Sequence, residues 1–351
     1  MKESKHIPAL DGLRGLAAVC VFLHHAKDMG IFSFMGHFGV AIFFALSGFL
    51  MAFLYGRRSF TAANAFSYAV GRFARIAPLY ICVILASWLI RTHFDGHFIY
   101  DINNHNLLRH LLFSGSEGVF WSIPPEVQFY AFFLAAWWAI CAARIQDYRP
   151  AGIVVGLTFL MLIINYAHPL PGTLLPTKLP FFLFGAAAGL SRDWLEKQQT
   201  PEWLMTALQC MLLPAAPLYA LCLYGFEHDS EAVYHSLLLP LLCAATVLSF
   251  AIPTRFSVNT FGNKYMRLLG AWSFAVYLLH QPCLYWAHHI QIAFHLNPET
   301  GFVLSGVLVV ALSASSQFIL ERPAQRYLKA WSERVSMGLY KADARIPVAT
   351  A

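Results

Sequence analysis

Charged side chains are scarce in this sequence. Asp, Glu, Lys and Arg make up only 12% of the 351 residues, while 58% are hydrophobic and 15% are aromatic. A soluble domain carries about 25% charged residues, and a chain of this length folded in water would need far more polar surface. The same composition excludes a disordered chain, a collagen-like chain and a coiled coil. The sequence therefore predicts a polytopic membrane protein.

Cysteine pairs and interdomain linkers are also lacking. The seven cysteines lie in or beside apolar stretches, without a CxxC spacing. This is typical of small buried hydrophobic residues rather than of disulfides or a metal site. No low-complexity tract or Gly/Ser-rich segment divides the chain. We therefore expect one transmembrane domain over residues 1–328 and a cytoplasmic tail over residues 329–351.

Apolar stretches long enough to cross a bilayer recur along the chain. A helix crosses the hydrocarbon core with about 20 mostly apolar residues. The expected fold is an all-α bundle of about ten transmembrane helices. The ten stretches are 8–27, 37–55, 74–91, 121–143, 151–168, 174–190, 203–224, 235–253, 267–290 and 301–320.

The distribution of Lys and Arg predicts the orientation of these spans, because basic residues favour the cytoplasmic side. If the N-terminus is cytoplasmic, nineteen of the 24 Lys and Arg residues fall in inside segments and four in outside segments. Arg14 lies within the first span. The asymmetry predicts cytoplasmic N- and C-termini and an even number of spans. It also explains the net charge of +6 by topology, so no nucleic-acid partner is expected.

The first apolar stretch, PALDGLRGLAAVCVFLHHA, contains ionisable residues, which are costly inside a membrane and mark candidate functional sites. Arg14 and His25 are eleven positions apart, so on a helix they face the same way, about 16 Å apart along the axis. His24 is rotated by about 100° from this stripe. A guanidinium suits phosphate oxygens, a neutral imidazole suits proton abstraction, and the separation resembles the reach of a phosphopantetheine arm. Alternatively, Arg14 snorkels to the interface and His25 hydrogen-bonds a neighbouring helix.

Six motifs in order along the chain resemble those of the membrane acyltransferase-3 family. They are LDGLRGLAAVCVFLHHA (10–26), GVAIFFALSGFLM (39–51), GRFARIAPLY (71–80), WSIPPEVQFY (121–130), LGAWSFAVYLLHQP (269–282) and ILERPAQRYL (319–328). The family's Arg–ten residues–His signature falls on Arg14 and His25. Two positions depart from the family's pattern. Ala41 stands where Asp is frequent, and the unusual pair Pro124-Pro125, which precedes Glu126, is expected to alter the depth or angle of that carboxylate.

This family acylates sugars of bacterial surface polysaccharides, lipopolysaccharide, peptidoglycan and related molecules. The resemblance implies an O-acyltransferase of the bacterial cytoplasmic (inner) membrane that moves an acyl group, most simply acetyl, from acyl-CoA to a carbohydrate acceptor. Acyl-CoA would be a co-substrate, and no permanently bound cofactor is implied. His25 would act as general base or carry the acyl group transiently, and Arg14, Arg72 and Arg75 would hold the donor phosphates. For Arg72 and Arg75, which share a helix face, ordinary anchoring at the cytoplasmic interface is the alternative.

Glu126 is the carboxylate candidate that enters the fourth span from outside. It can position the acceptor hydroxyl or raise the basicity of His25, as orienting carboxylates do in catalytic triads. Its alternative is an interfacial carboxylate that faces water. Tyr130, one turn later, shares its helix face, and a role in an aromatic belt competes.

Two further residues are expected to support the site. Asp11 can orient Arg14 through a charge-assisted bond or cap the first helix. His280 matches the family's YLLHQP-like segment, and a hydrogen-bonded structural histidine is its alternative. No metal site is expected, because the histidines of the loop 92–120 show no zinc-ligand spacing.

A transporter or flippase for a lipid-linked glycan or a small solute is the competing class of function. Ion-coupled carriers place acidic residues near the membrane midplane. The 18 acidic residues of this chain lie in connectors, tails or near span ends. The acyltransferase interpretation is therefore favoured, and the oligomeric state is not indicated.

Overall fold

The structure, a computed structural model, describes residues 6–26, 35–227 and 232–343, and no strand occurs among these residues. The α-helices are α1 (Pro8–His25), α2 (Met35–Tyr55), α3 (Ala62–His93), α4 (Leu107–Leu111), α5 (Ile123–Arg144), α6 (Arg149–Ala167), α7 (Leu175–Lys197), α8 (Glu202–Glu227), α9 (Ala232–His235), α10 (Leu238–Phe250), α11 (Arg255–Thr260), α12 (Lys264–Ala293), α13 (Pro298–Ser316) and α14 (Arg322–Asp343). A 3₁₀-helix (Gly118–Ser122) precedes α5, and a π-helical turn (Gln317–Glu321) joins α13 to α14.

The expected all-helical membrane architecture is confirmed. Each predicted span overlaps at least one helix, and the spans 121–143, 235–253 and 301–320 each reach into two helical elements. Within the described part of the chain, six segments are long and apolar enough to cross a membrane, namely Met35–Tyr55, Ala62–His93, Gly118–Arg144, Arg149–Ala167, Glu202–Leu223 and Pro298–Gly338. The chain is therefore a multi-pass membrane protein. The count of ten spans and the cytoplasmic termini stay predictions, and residues 1–5 and 344–351 lie outside the described residues.

Connectors that are predicted to lie on the same side of the membrane contact one another. Arg57, after α2, forms an ion pair with Asp193 near the end of α7. The backbone N–H of Arg255 donates to the carboxylate of Glu202 at 2.7 Å. These contacts agree with the predicted alternation of inside and outside connectors.

Helix α14 crosses the boundary predicted between residues 328 and 329. It packs along the first half of α3, where the Oγ atoms of Ser336 and Ser67 lie 2.8 Å apart. The ring centroids of Trp331 and Phe66 are 5.4 Å apart. The helix is thus continuous at this boundary, and the division into domain and tail stays a prediction.

All seven cysteines are free thiols. The expectation that they are buried holds for Cys20, Cys243 and Cys283, whereas Cys82, Cys210 and Cys222 are exposed. The exposed three lie on α3 and α8, two of the candidate membrane-spanning helices. Apolar flanking sequence does not distinguish a residue that faces the protein core from one on the outer surface of the bundle.

Helices α1 and α12 approach each other closely because glycine occupies both sides of the contact. A Cβ atom on Gly15 would lie 2.9 Å from the backbone nitrogen of Gly270, and one on Gly270 would lie 2.0 Å from the carbonyl oxygen of Asp11. Small residues allow such close helix packing in membranes. The contact holds the length of α1, with Arg14 and His25, against α12.

A second glycine contact joins α2 to α7. A Cβ atom on Gly48 would lie 2.1 Å from the carbonyl oxygen of Phe182, and one on Gly185 would lie 2.2 Å from that of Ala45. Backbone atoms cannot rotate away as side chains do. The close packing of the two helices therefore requires glycine, which has no Cβ atom, at both positions.

We predict that Gly185→Leu destabilises the protein by more than the ~1–3 kcal/mol of ordinary core overpacking, because the new side chain meets backbone. The measurement is the midpoint of thermal unfolding in detergent. Gly156→Leu is the control, because a Cβ atom there has no neighbour within 4 Å. Equal midpoints for the two variants would contradict the packing described.

Candidate functional site

Helix α1 presents its two histidines to different neighbours. The ring of His24 lies against Gly36 of α2, and its centroid is 5.3 Å from that of His37. The ring of His25 faces α12, where its centroid is 4.8 Å from that of His280. The sequence prediction that His24 does not share the face of His25 is therefore confirmed.

A cavity of about 90 Å³ lies between α1, α2, α3, α5 and α12. Its polar and charged lining contains the predicted donor-binding arginines together with Glu126 and Tyr130. These lining residues are Arg14, Ser47, Arg72, Arg75, Ser122, Glu126, Tyr130, Ser273 and Tyr277. The structure thus brings together five of the residues singled out in the sequence.

The lining of this cavity is predominantly positive. Arg14 and Arg75 are close enough for their charges to repel. Asp11, in the first turn of α1, pairs with Arg14 at 3.6 Å and also lies 2.6 Å from His6. Among the described lining residues, Glu126 provides the opposing carboxylate. The arrangement is suited to binding an anion.

Arg72 is held between aromatic rings. Its guanidinium carbon lies 5.9 Å from the ring centroids of both Tyr55 and Tyr130, a cation–π distance. Its Nε atom is buried and has no hydrogen-bond partner among the described residues. A buried donor without a partner marks a point where an acceptor group of a ligand can bind.

Glu126 lies in the first turn of α5. Pro124 and Pro125 precede it within that turn, where a missing N–H costs no helical hydrogen bond. The helix is therefore not interrupted at the carboxylate. The hydroxyls of Tyr130 and Ser47 donate to its Oε1 atom at 2.5 and 3.3 Å.

His25 and Glu126 do not meet among the described residues. The Nδ1 atom of His25 lies 3.0 Å from the carbonyl oxygen of Val21 and 3.1 Å from Nε2 of His280. The sequence suggested Glu126 as a neighbour of His25, but in the structure the side chain next to Nδ1 of His25 is that of His280. The structure gives no support to Glu126 as the group that raises the basicity of His25.

The described cavity contains the arginine end of the α1 stripe but not its histidine end. Arg14 is among its lining residues and His25 is not. Tyr277, which lines the cavity, precedes His280 by three positions on α12, and their ring centroids are 6.1 Å apart. The cavity therefore ends about one helical turn short of the histidine pair.

Four polar lining residues were not singled out from the sequence, namely Ser47, Ser122, Ser273 and Tyr277. The hydroxyl of Ser47 donates to Glu126. The hydroxyl of Tyr277 donates to the carbonyl of Val119 at 2.9 Å and lies 2.7 Å from Oγ of Ser122. Ser47 lies in the motif at 39–51 and Tyr277 in the motif at 269–282. Their positions within family motifs could have marked both as candidate site residues.

Lys178 is one of the four basic residues that fall in the predicted outside segments. In the structure its side chain is fully buried. Its Nζ atom lies 3.7 Å from the ring centroid of Tyr234 and 5.4 Å from that of Trp121. A single Lys at the start of an apolar stretch gives no sign of such an environment. Within residues 6–26, 35–227 and 232–343, no group of three or more His, Cys, Asp or Glu residues can hold a metal ion.

Comparison with curated proteins finds relatives that share low identity over nearly the whole chain. "Putative peptidoglycan O-acetyltransferase YrhL" of Bacillus subtilis is 24% identical over 95% of this chain and 57% of its own length. "Putative O-acetyltransferase SACOL0978" of Staphylococcus aureus is 21% identical over 95% of this chain and 60% of its own length. The chain thus spans less than two thirds of these relatives.

A third relative, "Protein 2 in picA locus" of Rhizobium radiobacter, is 38% identical over 21% of this chain and 40% of its own length. No solved structure matches. The sequence profile described as an acyltransferase domain matches residues 7–317, which include both the arginine-lined cavity and the His25–His280 pair. The chain therefore belongs to the acyltransferase-3 family.

Proposed function

We propose that this protein transfers an acyl group, most simply acetyl, from acyl-CoA to a sugar hydroxyl of a cell-surface or exported glycan. The observation that carries the proposal is the cavity formed around Arg14, Arg72 and Arg75, with His25 three turns further along α1. Membership of the acyltransferase-3 family supports acyl transfer. The relatives' names, which refer to O-acetylation and in one case to peptidoglycan, support a glycan acceptor.

The arginine cavity binds the phosphate end of the donor in this proposal. A cavity of about 150 Å³ is enough for benzene, so about 90 Å³ provides room for one phosphate-sized group rather than for a whole coenzyme. A phosphate would relieve the repulsion between Arg14 and Arg75 and would satisfy the buried Nε atom of Arg72. Glu126 attracts Arg14 and is itself held by the hydroxyls of Ser47 and Tyr130.

His25 performs the chemistry of the acyl group. As a general base it takes the proton of the sugar hydroxyl while that oxygen attacks the thioester carbonyl carbon. The C–S bond then breaks, the ester forms, and the departing thiolate of coenzyme A takes up the proton. As an acyl carrier, His25 attacks the carbonyl carbon, the C–S bond breaks, and coenzyme A leaves as its thiolate. The sugar hydroxyl then attacks the acyl carbon, the bond to His25 breaks, and the proton of the hydroxyl passes to the thiolate.

The positions along α1 fit a donor on the cytoplasmic side and an acceptor on the outer side of the bacterial cytoplasmic membrane. In the predicted orientation, Arg14 is near the inner face and His25 lies beyond the middle of the membrane. The pantetheine arm would bridge the roughly 16 Å between them. In this proposal the path from the cavity past Tyr277 opens when the donor binds.

We predict that His25→Ala lowers acyl transfer by about 10²-fold or more, the contribution of a general base, while membrane expression is retained. The measurement is release of free coenzyme A from acetyl-CoA in the presence of acceptor. His24→Ala is the matched control on the adjacent face of α1, and it should keep substantial activity. Equal loss in both variants would exclude a specific role for the His25 face.

We predict that Arg14→Ala raises the KM for acetyl-CoA about 10- to 100-fold with little change in kcat, because one charge-assisted hydrogen bond to phosphate is lost. S-acetylpantetheine, which has no phosphate, should be used equally well by both proteins. Arg326→Ala is the control, because Arg326 is an exposed basic residue of α14. An unchanged KM for acetyl-CoA would overturn the phosphate site.

A further inference from the structure

The proton positions on His280 follow from its surroundings. Its Nδ1 atom lies 2.7 Å from the carbonyl oxygen of Tyr277 and 3.2 Å from that of Val276. Carbonyl oxygens only accept hydrogen bonds, so this nitrogen carries a hydrogen. His280 is fully buried, and burial disfavours the charged imidazolium. In the neutral ring, Nε2 is therefore an acceptor.

The same reasoning then applies to His25. Its Nδ1 atom faces two acceptors, the Nε2 atom of His280 at 3.1 Å and the carbonyl oxygen of Val21 at 3.0 Å. That nitrogen must therefore carry a hydrogen, which the two acceptors share. In a neutral imidazole the other nitrogen, Nε2, then carries the lone pair. It makes no hydrogen bond among the described residues.

The turn that carries His280 is held in place by a proline and a tyrosine. Pro282 lies within α12 and has no N–H, so the carbonyl of Leu278 loses its helical partner. The hydroxyl of Tyr100 donates to that carbonyl instead, at 3.2 Å. This bond ties the loop before α4 to the α12 turn beside His25.

We infer that His280 is a positioning residue that, together with the carbonyl of Val21, keeps the proton of His25 on Nδ1 and leaves Nε2 as the basic and nucleophilic atom. In a Ser-His-Asp triad the aspartate selects the histidine tautomer in this way. Here a neutral imidazole does so, and Glu126, which the sequence suggested for such a role, lies in the arginine cavity. The inference rests on the proposed function for what Nε2 does, but the tautomer itself can be measured without substrate.

The test compares two substitutions of His280, one of which keeps a hydrogen-bond acceptor for Nδ1 of His25 and one of which removes it. In His280→Gln, Oε1 can accept from Nδ1 of His25, whereas His280→Leu fills space without an acceptor. We expect His280→Leu to lower kcat about 10- to 100-fold, as loss of an outer partner of a functional histidine does, with the KM for acetyl-CoA unchanged. His280→Gln should recover most of kcat. If both variants are equally impaired, or if His280→Leu has the kcat of the unsubstituted protein, the positioning role is overturned.

The tautomer is read directly by NMR of the substrate-free protein with ¹⁵N-labelled histidine, with the His25 signals assigned by their loss in His25→Gln. We expect hydrogen on Nδ1 and none on Nε2 of His25 in the unsubstituted protein and in His280→Gln. In His280→Leu the carbonyl of Val21 remains as one acceptor, so the Nδ1 form should persist while the fraction of His25 with hydrogen on Nε2 rises. Hydrogen on Nε2 of His25 in the unsubstituted protein would refute the inference whatever the activity measurements show. Conversely, the expected tautomer with no acyl transfer would refute the proposed function alone.

Discussion

The close approach of α1 and α12 is the constraint on which the rest of the site depends. Gly15 and Gly270 leave no room for a Cβ atom between the two backbones. Because α1 is held along its length, one contact between helices determines the position of two functional groups. Arg14 is presented to the cavity at one end, and His25 is presented to His280 at the other. A wider spacing of these helices would separate the two imidazoles.

The charges around the cavity are the second element of the account. Arginines are expensive in a membrane protein unless they are paired or bind a ligand. Asp11 and Glu126 offset part of the positive charge, as does the buried carboxyl of Glu321, which attracts Arg75, and the rings around Arg72 offset a further part. In the proposed function, the phosphate of the donor binds among these arginines. The histidine end contains neutral groups instead, which suits a thioester and a sugar hydroxyl.

The sequence allowed much of the fold and part of the site to be predicted, because apolar length, helical periodicity and motifs are local properties. They gave the helices, the separate faces of His24 and His25, and the residues Arg14, Arg72 and Arg75. Contacts between distant segments could not be predicted in this way. His280 meets His25 across 255 positions, and Ser47 meets Glu126 across 79. No sequence periodicity links residues so far apart, because both contacts depend on which helices become neighbours.

The measurement that tests the central claim most directly is mass spectrometry of surface and exported glycans from cells that express the protein and from cells that lack it. The account predicts that a glycan from expressing cells is heavier by one acyl group for each modified hydroxyl, and that mild alkali, which cleaves esters, removes the difference. Identical glycans from the two kinds of cell would contradict it.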